Sequence, residues 1–213
     1  MPPRRQLTVA RALDAHCASL AGCRRCVHAP GVLPILSKAR APRAMLVGQA
    51  PGRMEMEGGR PFAGRAGKTL FKWFAEIGLD EATVREWFYI AAVTRCYPGP
   101  HPSGRGDRVP SPAERRKCGG WLDDELRIIR PSVIVPVGRL AIDRFLGPLA
   151  LDEVVGREHA VAHEGGTSVV IPFPHPSGAS SWIHAPEHRA LLARSLRLVK
   201  RRLARERDER SVA

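Results

Sequence analysis

The sequence contains no apolar run of about 18 residues and no secretory signal. These absences argue against a membrane-spanning or exported chain, so we expect a cytoplasmic protein without a membrane partner. The cytosol is reducing and disfavours disulfide bonds. The five cysteines are therefore interpreted as free thiols or metal ligands rather than as a disulfide framework.

The common phosphate-binding glycine motifs are also missing. Residues 64–69 read GRAGKT, which lacks the G-x4-G-K spacing of a Walker loop, and no G-x-G-x-x-G is present. The glycine-rich segment from Gly48 to Gly67, GQAPGRMEMEGGRPFAGRAG, is by itself only a generic glycine-rich turn. We find no internal repeat and no low-complexity segment beyond a basic C-terminal stretch.

Acidic residues are few relative to basic ones. The chain has 34 Lys and Arg against 21 Asp and Glu, a formal net charge of +13. Such a surface attracts polyanions through counterion release, and DNA and RNA are the commonest polyanions of the cytosol. Part of the excess lies in the C-terminal LVKRRLARERDER, which is alternatively a solvated helix with its own acidic partners.

The length and the hydrophobic pattern predict the fold. With 213 residues, 44% of them hydrophobic, the chain suits one domain over residues 1–213 with a basic helix or tail at about 187–213. Apolar, β-branched runs predict strands at 44–48, 87–93, 132–137 and 168–173, with helices at 68–77, 111–129 and 139–145. This alternation predicts an α/β fold, a three-layer α/β/α sandwich with a mostly parallel central sheet.

Ligands of such sheets gather at the carboxyl ends of the strands. The segments found there are GQAPG after the first strand, then 94–96, 137–139 and 174–177, and we expect all four to face one crevice. Residues 97–112 contain too much proline, glycine and charge for a packed element, so they are predicted to form a long loop. That loop either serves binding or is a tolerated insertion.

Four cysteines have the spacing of a metal site. Cys23 and Cys26 form a C-x2-C pair, and Cys96 and Cys118 can complete a four-sulfur shell for zinc or for a 4Fe–4S cluster. The alternatives are small buried residues or a redox pair. Cys17 is either a spare ligand or a core residue of a helix.

Several motifs in one order carry a family resemblance. Together with the four cysteines and the late His175-Pro176-Ser177, the Gly48–Gly67 segment resembles the iron–sulfur branch, families 4 and 5, of the uracil-DNA glycosylase superfamily. That branch has the pattern GEAPG-x2-ED-x2-G-x-PF-x-G-x-AG followed by HPS. The positions that match without a gap are Gly48, Ala50, Pro51, Gly52, Glu55, Gly59, Pro61, Phe62, Gly64, Ala66 and Gly67.

The resemblance implies a DNA repair enzyme that flips deoxyuridine out of DNA, hydrolyses its N-glycosidic bond and releases free uracil. It implies a structural 4Fe–4S cluster held by Cys23, Cys26, Cys96 and Cys118. It also implies that Phe62 stacks on the uracil ring, against the alternative of a core phenylalanine. His175 would donate a hydrogen bond to uracil O2 as negative charge develops there, against the alternative of a structural histidine.

The remaining implied contacts surround the base and its phosphate. Gly48 and Ala50 would line the base, with the 48–50 backbone near it, and Glu55 would exclude the thymine methyl at the C5 edge. Ser177 and Gly178 would present a hydroxyl and a backbone N–H to a flanking phosphate.

Three departures from the family pattern matter for function. Gln49 replaces a carboxylate, and an amide cannot act as a general base; it would position the water or offer only its N–H, which leaves Glu55, Glu57 and Asp107 as candidate carboxylates. Ala92 replaces an asparagine that reads uracil N3–H and O4, a difference of about 1–3 kcal/mol in discrimination. Asp107 stands where relatives with a longer loop carry a histidine that traps the sugar, so covalent trapping is not expected.

Three functional interpretations follow. The first is a monomeric, monofunctional uracil-DNA glycosylase that acts on single- or double-stranded DNA in a bacterial-type, nucleoid-associated cytoplasm. The second is a uracil-DNA binding protein whose hydrolysis is weak or lost because of Gln49 and Ala92. The third is a cluster-bearing redox or zinc protein with a basic docking tail.

Overall fold

A computed structural model describes residues 4–26, 31–104, 106–177 and 181–212. Among these residues no helix is long and apolar enough to cross a membrane. The elements in chain order are α1 (Arg4–Ala21), β1 (Ala44–Gly48), α2 (Arg53–Gly58), α3 (Arg65–Ala75), α4 (Glu81–Trp87), β2 (Phe88–Ala92), α5 (Pro112–Ile129), β3 (Val133–Pro136), α6 (Arg139–Leu146), α7 (Leu151–Val154), β4 (His159–His163), β5 (Gly166–Val170), a 3₁₀ turn (Ser181–His184) and α8 (Pro186–Val212).

The five strands form one sheet in the order β2-β1-β3-β5-β4. β1 pairs in parallel with β2 and β3, and β3 pairs in parallel with β5. Only the edge strand β4 is antiparallel, to β5. The predicted α/β fold with a mostly parallel sheet is confirmed. Since β1 lies between the strands that follow it in the chain, its carboxyl end is a topological switch point, where ligands of such sheets bind.

Alternate strand residues pack against helices on opposite faces of the sheet. Leu46 lies in a core with residues of α3, α4 and α8, whereas Met45 and Val47 lie in a second core with residues of α1, α5 and α6. All five residues of β1 are buried, because a strand covered on both faces has no solvent side. The three-layer arrangement is therefore confirmed.

The sequence prediction did not include α2, α4, α7 or β4, and some boundaries differ. The Asp80 side chain accepts a hydrogen bond from the Thr83 N–H at 2.8 Å and caps α4, so Trp87 ends a helix instead of opening a strand. The edge strand β4 was missed because its alternately exposed sequence HAVAH carries little apolar signal. Beyond β5, Phe173 makes only an isolated bridge with Val137.

Candidate active site

The ring of Phe62 lies on the backbone of Gly48 at the end of β1. A Cβ atom placed at Gly48 would stand 3.2 Å from Phe62 Cζ. Phe62 itself has a φ of 51°, a left-handed conformation that few non-glycine residues adopt. A Cβ atom at Gly67 would stand only 1.9 Å from the Phe62 carbonyl oxygen. Two glycines of the segment are thus required for the position of one half-buried aromatic ring.

Arg85 of α4 holds the backbone that carries this ring. Its guanidinium donates to the carbonyl oxygens of Pro61 at 3.0 Å and Phe62 at 3.4 Å. The same group lies 4.7 Å from the centroid of the Phe71 ring, a favourable cation–π distance. The sequence analysis missed Arg85 because no motif marks it and α4 was not predicted.

Glu55 links the two ends of the glycine-rich segment. Its Oε2 accepts the Gly52 N–H at 3.0 Å, and its Oε1 accepts the Gly64 N–H at 2.9 Å. These bonds satisfy backbone donors at the starts of α2 and α3, which begin directly after Gly52 and Gly64. Glu55 therefore fixes the loop around Phe62, and its role at the uracil C5 edge stays a prediction.

His175 follows β5 and is oriented by its own turn. The Ser177 N–H donates to His175 Nδ1 at 3.2 Å, and Ser177 Oγ lies 2.8 Å from the same nitrogen. Because a backbone N–H can only donate, Nδ1 is the acceptor and the neutral ring carries its proton on Nε2. Burial lowers the pKa of His175, which favours this neutral donor form.

The HPS turn holds one of the two groups that the sequence assigned to a DNA phosphate. The Ser177 hydroxyl, predicted to face that phosphate, lies 2.8 Å from His175 Nδ1, next to the Ser177 N–H that donates to the same nitrogen. The hydroxyl can rotate. Gly178, the other predicted phosphate contact, lies outside the described residues.

Two of the three departures from the family pattern, Gln49 and Ala92, lie side by side at the strand ends. Ala92 is the register partner of Gly48 across the β1–β2 ladder. The next residues continue the pairing, since the Gly48 and Gln49 carbonyls accept the N–H groups of Val93 at 3.0 Å and Thr94 at 3.2 Å. Gln49 and Ala50 are half-buried. The structure thus brings Gly48, Gln49 and Ala92 together, with a methyl group at the position where the family has an amide.

The four predicted cysteine ligands line one cavity. Burial and then the neighbouring Cys118, Cys26 and Cys23 thiols raise the pKa of Cys96 to about 12, and burial also raises the pKa values of Cys26 and Cys118. Within the described residues, no three or more His, Cys, Asp or Glu side chains form a group that could hold a single metal ion.

Polar groups at this cavity lack protein partners. Thr94 Oγ1 and Arg95 Nε are buried without a hydrogen-bond partner in the described part of the chain. Arg95 lines the cysteine cavity, and Thr94 lines an adjoining cavity that shares Cys26, Cys96 and Cys118. The Arg95 N–H donates to Cys118 Sγ at 3.3 Å. Buried donors without partners are costly, so the cavity suits a group that offers several hydrogen-bond acceptors.

A buried polar network contacts Arg95, which lines the cysteine cavity. Glu125, which is fully buried, forms an ion pair with Arg95 and accepts from the Tyr89 hydroxyl at 2.9 Å. His16 Nε2 lies 3.2 Å from the same carboxylate. Cys17 Sγ lies 3.6 Å from the Tyr89 hydroxyl, apart from the cavity lining among the described residues. Its position favours the core interpretation over a spare ligand.

The fold and site define an α/β protein with a half-buried aromatic ring at the switch point of its sheet and a cavity lined by four cysteines. Residues 35–197 match the model of the uracil DNA glycosylase superfamily. The chain therefore belongs to the uracil-DNA glycosylase superfamily.

Individual relatives agree with this assignment. The chain is 36% identical over 173 residues to the Type-4 uracil-DNA glycosylase of Archaeoglobus fulgidus, covering 78% of this chain and 81% of that protein. It is 36% identical over 135 residues to the Type-4 enzyme of Thermotoga maritima, covering 63% and 65%. A Type-5 uracil-DNA glycosylase of Pyrobaculum aerophilum is 30% identical over 146 residues, covering 63% and 61%.

Proposed function

We propose that this chain is a monofunctional uracil-DNA glycosylase that releases free uracil from DNA. The observation that carries the proposal is the placement of Phe62 on Gly48 within a superfamily member whose His175 presents Nε2–H. An aromatic face and a hydrogen-bond donor are what a flipped uracil requires, since one stack contributes about 1–3 kcal/mol.

Cleavage of the C1′–N1 bond produces a cation-like sugar and a departing uracil anion. His175 donates from Nε2 to uracil O2, where the negative charge grows, and this interaction is stronger in the transition state than in the ground state. A neutral ring serves as donor because Nδ1 is already an acceptor. The backbone at Gly48–Ala50 lies against the base, and Glu55 fixes the segment that follows it by accepting the Gly52 N–H.

The four cysteines are proposed to ligate one 4Fe–4S cluster. The proposal is supported by a single cavity lined by Cys23, Cys26, Cys96 and Cys118, and by the buried, unpartnered side-chain donors of Thr94 and Arg95 beside it. Sulfide and thiolate sulfurs accept hydrogen bonds, and such bonds are usual around these clusters. The bound cluster would tie the segment after α1 to the end of β2 and to α5, a structural rather than a chemical contribution.

Exposed basic residues surround the pocket and are proposed to contact DNA phosphates. Arg53, Arg60, Arg65 and Lys68 are all exposed on or beside α2 and α3. The Ser177 hydroxyl and Gly178 are proposed to contact the phosphate next to the flipped nucleotide. Phosphate contacts position the substrate without reading sequence, so specificity has to come from the base pocket.

Base release from labelled oligonucleotides tests the proposal. Single- and double-stranded DNA carrying one deoxyuridine should yield free uracil and an abasic site, whereas a thymine-containing control should not. Log affinity should fall with log salt at a slope of about −0.9 per neutralised phosphate on duplex. Salt-sensitive binding without base release would instead identify a uracil-DNA binding protein, the function favoured by Gln49 and Ala92.

A further inference from the structure

Hydrolysis needs a group that takes a proton from water, and Gln49 cannot do so because an amide is not a base at neutral pH. Around the GQAPG loop the described residues place three carboxylates. Both oxygens of Glu55 accept backbone N–H groups, and Glu57 is exposed and paired with Arg53 at 3.5 Å. Asp107 is the third, and it reaches the loop from a distant part of the chain.

The Asp107 carboxylate lies directly on the loop. Its Oδ2 is 2.8 Å from the point where a Cβ atom of Gly52 would stand. Glu55 Oε2, which accepts the Gly52 N–H, is 2.8 Å from the same point. A side chain at position 52 would displace both carboxylates, so glycine is what lets Asp107 approach. Asp107 is itself exposed and therefore accessible to water.

A short hairpin delivers this carboxylate. Pro100 and Asp107 form an antiparallel bridge, and the Arg108 N–H donates to the Gly99 carbonyl at 3.0 Å. Arg108 then forms two hydrogen bonds with Glu114 at 2.7 and 2.5 Å, which hold the hairpin against the first turn of α5. The predicted long loop is thus a structured hairpin whose second arm carries Asp107.

Tyr97 contacts the Asp107 carboxylate. Its phenol is hydrogen-bonded to Asp107, and burial and this bond raise the pKa of Tyr97. The buried phenol therefore remains a donor at neutral pH. Because a carboxylate has about four acceptor sites, one bond from Tyr97 leaves Asp107 with capacity for a water molecule.

We propose that Asp107 is a catalytic carboxylate that supplies the base missing from the GQAPG loop. In this step the water oxygen bonds to C1′ as the C1′–N1 bond breaks, and the bonding pair leaves with uracil. Asp107 takes the proton of the attacking water and later returns it to solvent, while the uracil anion is neutralised by protonation. The inference rests on the proposed function, since it assigns the water-activating group of that reaction.

Asp107→Asn tests the role with little change in shape, because the amide oxygen can still accept from Tyr97. Single-turnover release of uracil should fall by about 10² to 10⁴, the usual contribution of general acid–base catalysis. Affinity for an oligonucleotide carrying non-cleavable 2′-fluorodeoxyuridine should change less than threefold. The matched control is Asp14→Asn, which removes an exposed carboxylate paired with Arg40 on the surface and should release uracil at the unaltered rate.

Chemical rescue separates catalysis from scaffolding. Asp107→Ala should be slow, and added formate should restore part of its rate by acting as a mobile carboxylate, with no effect on the unaltered chain. An Asp107→Asn variant that cleaves at the unaltered rate would overturn the assignment, as would loss of activity that follows loss of binding and resists formate. An unaltered chain that releases no uracil would overturn the proposed function and this role with it.

Discussion

Gly138 and His175 meet at the carboxyl ends of β3 and β5, where a Cβ atom at Gly138 would stand 2.8 Å from His175 Cδ2. Gly138 has a φ of 83°, a conformation that favours glycine. Its N–H donates to the Phe173 carbonyl at 2.9 Å, two residues before the histidine. The imidazole is therefore held between a glycine backbone and its own HPS turn.

His175→Ala should lower the rate of base release by about 10² to 10³, the usual effect of losing one donor to developing charge. Binding of uracil-containing DNA should change much less, because Phe62 and the phosphate contacts remain. Single-turnover rates and binding constants measured on one oligonucleotide distinguish an effect on the rate of base release from an effect on DNA binding. Cleavage at the unaltered rate would place the catalytic donor elsewhere, at the 48–50 backbone.

The titration of His175 should lie below that of an ordinary histidine, about 6.5. Burial lowers its pKa, so as the pH falls through 6.5 an unfolded His175 would take up a proton while the folded one stays neutral. The contribution to stability is thus present above this range and is lost as the pH falls. NMR titration of the ring signals, with His175→Ala to assign the resonance, measures the midpoint. A midpoint at or above 6.5 would contradict the structural interpretation.

Phe62→Ala should slow uracil excision by roughly 10 to 100 fold, equivalent to a stack of about 1–3 kcal/mol. Folding should survive because the ring is half-buried at the pocket. Phe74→Ala is the contrasting variant, since Phe74 is fully buried in the core and its truncation should cost about 3–5 kcal/mol of unfolding free energy. Equal destabilisation of the two variants would identify Phe62 as a core residue instead.

Glu55→Gln should loosen the glycine-rich segment. A glutamine offers only one carbonyl oxygen, so its NH₂ group would face one of the N–H donors of Gly52 and Gly64. An unsatisfied donor costs about 1–3 kcal/mol. Hydrogen exchange at these two amides should accelerate, whereas Glu57→Gln, which touches neither, should leave them protected. Unchanged exchange in Glu55→Gln would show that the loop does not depend on this carboxylate.

Metal analysis of the purified chain should find about four iron atoms and little zinc. Serine variants of Cys23, Cys26, Cys96 or Cys118 should lose iron and the absorbance near about 400 nm expected of such a cluster. Cys17→Ser should retain both, because Cys17 contacts Tyr89 and not the cavity. One stoichiometric zinc ion, or iron loss only with Cys17→Ser, would contradict this assignment.

The sequence predicted the parallel strands and the segments that follow them because buried strands are continuous apolar runs. It could not predict Arg85 or the contact between Asp107 and Gly52, since these depend on how a hairpin and a helix pack, which leaves no local pattern. The sequence also could not show the role of Gly67. The motif shows only that residue 67 is glycine, whereas the left-handed backbone of Phe62 in the structure explains why glycine is required there.

Residues 94–96 connect the pocket to the cysteine cavity through consecutive backbone groups. The Thr94 N–H is bonded to the Gln49 carbonyl, the Arg95 N–H to Cys118 Sγ, and Cys96 lines the cavity itself. The Gln49 end of β1 and the cysteine cavity are therefore joined by three consecutive residues. We expect oxidation of these cysteines to disturb the Gln49 loop through this short path and so to slow base release.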